Sequence, residues 1–288
     1  MSTATGSPAD RVTALELQVL AHRGWPAVEQ WEGRELPGWT LRAAGGFTRR
    51  ANSALPIGGL GPGGTPRAAA PPATAADFRA AADALRAWYA ERGLPAYVQV
   101  CGGTEDARLD AVLAELGWVA ETPTELHTGP LAPLTGSGPG PGSGPVSGSG
   151  SGEEPAGVLL TRSVDAGWAA LYHRAGTLDA TSLAVLTGGP SVWFATVPGA
   201  DGRPEAIGRC VVDGAWAGFS GIEVRPDRRR RGLARRVMAA LADRARSEGA
   251  VHGWLQVEAD NAPALRMYAG LGFRRHHGYH YRRAVGTG

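Results

Sequence analysis

The chain has 288 residues, of which 43% are hydrophobic and 19% are charged, and its formal net charge is +2. This length supports one large domain or two ordinary domains with hydrophobic cores. The small net charge argues against a dedicated nucleic-acid-binding protein, because such domains are usually strongly basic. The two cysteines, Cys101 and Cys210, lack the spacing of a metal site and exclude a disulfide framework.

The composition also bears on cellular location. The N-terminal sequence MSTATGSPADRV has no basic stretch followed by an apolar one, so we expect no signal peptide. No run of about 18 apolar residues predicts a membrane span. All 29 residues counted as Lys+Arg are arginine, and asparagine occurs only at Asn52 and Asn261, as is typical of GC-rich actinobacterial genomes. We therefore expect a cytoplasmic protein with no membrane partner.

A cluster of polar residues lies in the first half, in the stretch GWTLRAAGGFTRRANSALP from Gly38 to Pro56. The cluster consists of Arg42, Arg49, Arg50, Asn52 and Ser53. On predicted strands, these side chains could bind a carboxylate of a substrate. Buried polar groups with a structural role at an interface are an equally good interpretation.

Two stretches of low complexity divide the chain. Ile57–Ala76 is rich in glycine, proline and alanine and predicts a long loop. Residues 136–152, GSGPGPGSGPVSGSGSG, predict a flexible linker. We therefore expect an N-terminal domain over residues 1–135, a linker over 136–155 and a C-terminal domain over 156–288.

The two halves share a pattern near their ends. Trp88–Trp118 and Arg244–Phe273 each contain a helix end, a turn, a short strand with Val-Gln-Val or Leu-Gln-Val, a helix and a Leu-Gly-aromatic sequence. This repeat predicts two copies of one fold. A chance similarity between two common helix–turn–strand–helix units is the alternative.

The second half alternates predicted strands and helices, which indicates an α+β domain with α/β-type layers. Strands rich in β-branched and aromatic residues are predicted at Gly157–Arg162, Val192–Val197, Glu205–Val212, Trp216–Val224, His252–Val257 and Tyr279–Arg283. Helices are predicted at Asp165–Tyr172, Leu178–Leu186, Leu233–Glu248 and Ala262–Leu271.

The loop between the strand ending at Val224 and the helix beginning near Leu233 belongs to the sequence VRPDRRRRGLARRV. A strand-to-helix loop presents unpaired backbone N–H groups at the positive end of the helix dipole, which suits a phosphate. Gly232 allows close approach of the backbone, Ala234 keeps the next turn small, and arginines at the rim add charge-assisted contacts. A solvated basic surface loop is the alternative.

Two sequence blocks in this half carry a family resemblance. Arg229-x-x-Gly232-x-Ala234 matches an R/Q-x-x-G-x-G/A signature, and LQVEADNAPALRMYAGLGF matches the pattern L-x-V-x-x-x-N-x-x-A-x-x-x-Y-x-x-x-G-F. Gly157 to Arg283 therefore resembles the GNAT family of N-acetyltransferases. The resemblance implies acetyl-CoA as co-substrate, with its pantetheine arm on the main chain of Ile222 to Val224. Its pyrophosphate would lie on the loop residues Arg229, Arg230, Arg231, Gly232, Leu233 and Ala234.

Asn261 and Tyr268 fall on the asparagine and tyrosine positions of the family. Tyr268 would protonate the departing CoA thiolate, although it could also be a core tyrosine. Asn261 would contact the cofactor, cap the helix that follows it, or do both. An amine must lose a proton to become a nucleophile, and Glu223 and Glu258 are alternative bases.

The resemblance implies neither a metal nor a covalent intermediate. Four histidines of the second half are expected at the surface or on the strand that faces the substrate. They are His252, His276, His277 and His280.

The first half departs from the family pattern, since Leu113 and Asp106 stand at the positions of Tyr268 and Asn261. It looks like a degenerate GNAT copy that has lost donor binding. The Gly38–Pro56 block resembles an actinobacterial two-domain GNAT family, some members of which are described as N-acetylglutamate synthase-like.

The sequence therefore predicts tandem GNAT folds with a mixed, mostly antiparallel sheet flanked by helices, in a monomer that acts as an intramolecular pseudo-dimer. We expect acetyl transfer to a small-molecule or peptide amine, such as glutamate, by direct attack in a ternary complex. Arg42, Arg49 and Asn52 would bind the acceptor. A catalytically silent acetyl-CoA-binding regulator is the main alternative, and a nucleic-acid-binding module is the third.

Overall fold

The structure is a computed structural model that describes residues 12–31, 36, 38–56, 74–101, 104–135, 157–172 and 178–285. The predicted linker lies outside the described residues, as does most of the predicted loop over Ile57–Ala76. The end of that loop is helical, because Thr74 begins a helix. Its hydroxyl accepts from the Asp77 amide, and the Asp77 carboxylate accepts from the Thr74 amide.

The described part of the first half contributes four strands and four helices. In chain order they are α1 (Ala14–Gly24), β1 (Glu29–Trp31), β2 (Leu41–Ala43), α2 (Ala75–Ala90), β3 (Tyr97–Cys101), α3 (Thr104–Glu115), β4 (Val119–Pro130) and α4 (Ala132–Thr135).

The second half contributes six strands and four helices among the described residues. They are β5 (Leu159–Thr161), α5 (Ala166–Leu171), α6 (Ala180–Thr187), β6 (Ser191–Pro198), β7 (Pro204–Asp213), β8 (Trp216–Val224), α7 (Leu233–Ser247), β9 (His252–Glu258), α8 (Ala262–Ala269) and β10 (Arg274–Arg283). Each strand and helix predicted for this half has a counterpart. β10 begins five residues earlier than predicted, because Arg274 already pairs with Thr128 of β4.

One sheet of eight strands runs through both halves in the order β3-β10-β4-β9-β8-β7-β6-β5. β8 and β9 pair in parallel, and every other neighbouring pair in this sheet is antiparallel. The short strands β1 and β2 form a separate antiparallel pair. The prediction of a mixed, mostly antiparallel sheet flanked by helices is confirmed.

The centre of the sheet is an exchange of strands between the two halves. β4 of the first half lies between β9 and β10 of the second half, and β10 lies between β3 and β4 of the first half. Both exchanged strands directly follow the Leu-Gly-aromatic end of the sequence repeat. Each half therefore completes its sheet with the last strand of the other half, as expected of two copies of one fold related by a pseudo-two-fold axis.

Helices cover both faces of the sheet in the second half. Val237, Leu241 and Ala245 of α7 are fully buried, and their spacing of four residues places them on one helix face. Adjacent residues of β6 point to opposite faces, so Ala195 packs in the α7 core and Phe194 packs with α5 and α6. Among the described residues, no helix is both long enough and apolar enough to span a bilayer.

A buried arginine fastens the N-terminal helix to the second half. The Arg209 guanidinium donates to the backbone carbonyls of Leu186, Gly24 and Gly188, at 2.7, 2.9 and 3.1 Å. Burial lowers the pKa of Arg209 to about 10, so the side chain is still a cation at neutral pH. It also lies 4.7 Å from the centre of the Trp25 ring.

His277 lies on β10 and is buried, with 9% of its surface exposed. Its Nε2 is 2.7 Å from the Gln18 side-chain amide, and burial lowers its pKa to about 4. His277 is therefore neutral at pH 7. Its burial follows from the extended β10, which places it opposite Leu126 of β4.

The strand exchange predicts that the halves stay together when the linker is cut. A protease site inserted between Gly136 and Gly152 separates the chain into two fragments without breaking a β4 or β10 hydrogen bond. We expect the cleaved protein to elute from size-exclusion chromatography at the position of the intact chain, in one peak containing both fragments. Separation of the fragments under native conditions would contradict the exchange, and the intact chain is the control.

Candidate active site

A cleft opens where β8 and β9 diverge. The parallel pairing runs from Trp216–His252 to Phe219–Leu255 and ends there. On its other side β8 shifts register against β7 near Gly221, which has φ = +58°. A bulge at this point bends the strand away from its neighbour. The opening has a volume of about 130 Å³.

Predicted catalytic and cofactor-binding residues meet in this cleft. Ile222 and Glu223 line it from β8, Glu258 lines it from the end of β9, and Asn261 and Tyr268 line it from α8. Beyond Phe219, β8 has no pairing with β9, so one edge of its main chain faces the cleft. Val224 is the last residue of β8 and packs partly against the α7 core.

Asn261 and Tyr268 also have structural contacts. Asn261 caps α8, because its Oδ1 accepts from the Ala264 amide at 3.2 Å, so the capping interpretation is confirmed. The Tyr268 ring is half-buried and meets Phe273 edge-on, with centroids 6.2 Å apart. Both residues nevertheless line the cleft, and their structural contacts fix their positions there.

The arginine-rich loop joins β8 to the N-terminus of α7. Arg230 and Gly232 both have positive φ, +65° and +76°, and Gly232 precedes the first turn of α7 without a side-chain cap. Within the described chain, no backbone hydrogen bond occupies the amides from Arg230 to Ala234. These amides and the helix dipole provide a site for an anion.

The arginines around this loop divide into two groups. Arg228 pairs with Glu205 at 3.1 Å, and Arg225 pairs with Asp201 at 2.8 Å, so both hold the loop in place. The side chains of Arg229, Arg230 and Arg231 are exposed and form no ion pair with any described residue. The exposed group supplies positive charge at the rim of the anion site.

A second cavity, of about 640 Å³, adjoins the cleft. Arg49 and Asn52 of the first half and Glu258 of the second half line it, so both halves build its wall. Arg50, Tyr172 and Glu258 line the cleft and this cavity alike. The two spaces therefore meet at these three residues, and we call the larger one the junction cavity.

Arg42 does not line the junction cavity, which corrects its predicted role in acceptor binding. It is 2% exposed, its Nε donates to the Ser53 carbonyl at 2.9 Å, and its Nη2 donates to the Ser53 hydroxyl at 2.6 Å. The alternative interpretation, a buried structural group, describes it. Of the predicted polar set, Arg42 alone lies on a strand, and Arg49 begins a 3-10 turn.

Asn52 lines the junction cavity, but its side-chain amide is hydrogen-bonded to backbone groups. Its Oδ1 accepts from the amides of Ala44 and Gly46 at 2.7 and 3.0 Å, and its Nδ2 donates to the Thr48 carbonyl at 2.9 Å. These bonds close the segment over residues 44–52, which we call the arginine turn. Asn52 therefore shapes the cavity through this turn.

The two consecutive arginines of the arginine turn have different partners. Arg49 donates to Glu121 at 3.1 Å and to Thr122 at 2.8 Å. Arg50 donates from Nε to Oε1 of Gln256 on β9 at 2.6 Å and forms no ion pair with any described carboxylate. Arg50 therefore brings to the junction a positive charge that has no direct ion pair among the described residues.

Several residues that line these spaces were missed by the sequence analysis. Trp25 comes from the end of α1, Tyr172 follows α5, and Tyr279 and Tyr281 come from the exchanged strand β10. Their sequence neighbourhoods contain no motif. The alternating Tyr-x-Tyr of β10 indicates a shared face, but only the strand exchange shows what that face meets.

The first half has no phenol at the position of Tyr268. Leu113 is fully buried there and packs with Trp118 in the core around α2, α3 and β3. Asp106, at the position of Asn261, is partly buried and lines a different cavity.

Comparisons with known proteins agree with this architecture. A family model described as "Probable histone acetyltransferase Rv0428c C-terminal" matches residues 13–116 and 146–282. The Mycobacterium tuberculosis protein named probable histone acetyltransferase Rv0428c is 27% identical over 294 residues, which covers 99% of this chain and 78% of that protein.

Shorter segments of the chain are similar in sequence to other acetyltransferases. A [ribosomal protein bS18]-alanine N-acetyltransferase of Salmonella typhimurium is 43% identical over 68 residues, and a streptothricin acetyltransferase of Streptomyces lavendulae is 48% identical over 52 residues. The chain spans 45% and 28% of the length of these two relatives.

Solved structures share the whole fold. A GCN5-related N-acetyltransferase from Kribbella flavida has a TM-score of 0.59 at 19% identity. The match covers 97% of this chain and 96% of the Kribbella chain. A tandem GNAT protein from the clavulanic acid biosynthesis pathway has a TM-score of 0.58 at 14% identity, and the match covers 97% of this chain and 90% of that protein. The chain therefore has the tandem GNAT fold and belongs to the family of the probable histone acetyltransferase Rv0428c.

Proposed function

We propose that this protein is an acetyl-CoA-dependent N-acetyltransferase whose donor site lies in its second half. The observation that carries the proposal is that β8, which lines the cleft, leads directly into the loop with the free amides at the start of α7. A strand that connects an acid–base pair in a cleft to a phosphate-binding loop suits a donor that carries both a thioester and a pyrophosphate.

The donor site follows from the backbone. The amides from Arg230 to Ala234 would bind the pyrophosphate, and the exposed arginines at the rim would add charge. The unpaired edge of β8 from Ile222 to Val224 would hold the pantetheine arm through main-chain hydrogen bonds. This arrangement would bring the thioester to Tyr268 and the glutamates.

Glu258 is the better candidate for the base, because it lines both the cleft and the junction cavity, whereas Glu223 lines only the cleft. In the proposed reaction the amine nitrogen bonds to the acetyl carbonyl carbon, and its proton passes to Glu258. The C–S bond then breaks, and the Tyr268 hydroxyl gives its proton to the thiolate. The products are an amide and CoA, and the step requires no metal.

The acceptor would enter through the junction cavity. The relatives carry names that refer to a ribosomal protein, to streptothricin and to a histone, so these names do not select one amine. A small molecule, an amino acid such as glutamate or a peptide N-terminus each fits an amine acetyltransferase. The strand exchange supports a monomer that acts as a pseudo-dimer, with residues 1–135 and 156–288 as its two copies.

A regulator that binds acetyl-CoA without catalysis is the second candidate. It shares the donor site and differs in the acid and base. Tyr268 and Glu258 line the same cleft, which favours catalysis. A nucleic-acid-binding module would require a strongly basic domain, whereas the formal net charge of the chain is only +2.

Gly232 gives a test of the donor site with a matched control. Gly232→Asp places a carboxylate beside the amides proposed for pyrophosphate, so we expect acetyl-CoA affinity measured by calorimetry to fall by at least about tenfold. Gly214 is also exposed and has φ = +57°, and a Cβ at either glycine would meet no described atom within 4 Å. Gly214→Asp therefore carries the same backbone strain and charge, and equal losses in both variants would contradict the proposed site.

The acid and base can be separated by kinetics. Glu258→Gln should lower kcat by about 10² to 10⁴ while leaving acetyl-CoA affinity unchanged, because a neutral amide cannot take the proton. Glu223→Gln should have a much smaller effect. Tyr268→Phe should lower kcat by at least about tenfold at the same donor affinity. CoA release at the wild-type rate by Glu258→Gln, with Glu223→Gln inactive, would reverse the assignment of the base.

A further inference from the structure

We propose that the acceptor is an amino acid whose amine and carboxylate are joined through one or two carbons and whose side chain is large and apolar or aromatic. Arg50 binds the carboxylate, Glu258 faces the amine, and the side chain fills the junction cavity. This inference rests on the proposed function and names the substrate class of the same site.

The first support is the position and state of Arg50. It is half-buried at the junction of the two spaces and forms no direct ion pair with a described carboxylate. Its Nε is held by Gln256, and its ring neighbour Trp25 lies 5.5 Å away. A planar guanidinium fixed through one nitrogen presents its remaining donors as a fork that matches a carboxylate.

The second support is the distance between Arg50 and Glu258. Gln256 and Glu258 are two residues apart on β9, so their side chains point to the same face, about 6.5 Å apart along the strand. Because Gln256 holds Arg50, the guanidinium and the Glu258 carboxylate are neighbours across this short step. One ligand can reach both groups only if its amine and carboxylate are close together.

The third support is the wall of the junction cavity. Aromatic rings from both halves line it, and they are Phe47, Tyr97, Tyr172, Tyr279 and Tyr281. A volume of about 640 Å³ with this lining suits an apolar or aromatic group. A small acidic side chain would leave much of it unfilled.

Two phenols in this wall add polar groups. The buried Tyr279 hydroxyl interacts with the Arg50 guanidinium and with the Tyr281 hydroxyl, and neither phenol has a closer hydrogen-bond partner among the described residues. Buried hydroxyls normally have a partner. A carboxylate bound at Arg50 would accept from a phenol and remove that deficit.

The same charges disfavour a lysine-rich acceptor. Arg49 and Arg50 both line the junction cavity. Among the described residues Arg49 pairs with Glu121, which also pairs with Arg283, and Arg50 forms no direct ion pair. A segment carrying several lysines would bring further positive charge to this wall. The acceptor implied here therefore differs from the histone in the name of the Mycobacterium tuberculosis relative.

The test is CoA-thiol release by the full chain with acetyl-CoA and a set of matched amines. L-phenylalanine, L-phenylalaninamide and phenethylamine share one ring and differ in the carboxylate. L-glutamate tests the side chain, and a lysine-rich peptide tests a basic protein substrate. We expect kcat/KM for L-phenylalanine to exceed that for phenethylamine and L-phenylalaninamide by about 10².

Substitutions of Arg50 test whether this residue causes the preference for an amine that carries a carboxylate. Arg50→Gln should raise KM for L-phenylalanine and remove most of its advantage over phenethylamine, while acetyl-CoA affinity and the melting temperature stay near wild type. Arg50→Lys keeps the positive charge but lacks the planar pair of donors. Its preference for L-phenylalanine over phenethylamine should lie between those of the wild type and Arg50→Gln. Arg79→Gln, an exposed arginine on α2 that pairs with Glu115, is the control and should change neither ratio.

The outcomes separate this inference from the proposed function. Equal rates for L-phenylalanine and phenethylamine, or the highest rate with the lysine-rich peptide, would overturn the inference and leave the acetyltransferase standing. A preference for L-glutamate over L-phenylalanine would overturn the apolar side chain. Donor binding without CoA release on any amine would overturn both and support the regulator.

Discussion

The pairing of β4 with β9 and β10 is the interaction on which the rest of the structure depends. It makes one sheet from two halves that a low-complexity stretch separates in the sequence. Without β4, the edge of β9 would be unpaired next to the cleft, and β10 would lose one neighbour. Because sheet edges with free N–H and C=O groups are costly to bury or prone to aggregate, each half needs the last strand of the other. The exchange also brings the arginine turn of the first half to β9.

Arginine performs several different tasks in this lysine-free chain. Arg42 and Arg209 are buried and bind carbonyl and hydroxyl oxygens, Arg225 and Arg228 form ion pairs that hold the α7 loop, and Arg229 to Arg231 remain exposed at its rim. Arg50 is held by Gln256 and forms no direct ion pair with a described carboxylate. The composition alone distinguishes none of these roles, since they depend on which carbonyls and carboxylates the fold places within reach.

Much of the second half was predictable from sequence, because its elements obey local rules. The strand-to-helix loop ending at Gly232, the cap at Asn261 and the apolar face of α7 each depend on neighbouring residues. The strand exchange was not predictable, since the pattern of β10 is equally suited to pairing with its own half. Arg42 was misplaced for the same reason, since Tyr89 and Gln99, which contact it in the core, are 47 and 57 residues away in sequence. The junction cavity combines residues from the arginine turn, β3, β9 and β10, and no local pattern joins them.

The central claim is that a donor site in the second half meets an acceptor cavity built with the first half. A crystal structure of the full chain with CoA tests it most directly. The account predicts the pyrophosphate on the amides from Arg230 to Ala234, the pantetheine arm along β8 and the thiol beside Tyr268 and Glu258, open to the cavity lined by the arginine turn. CoA bound against α3 and β3 of the first half, or a thiol that ends away from Glu258, would contradict it.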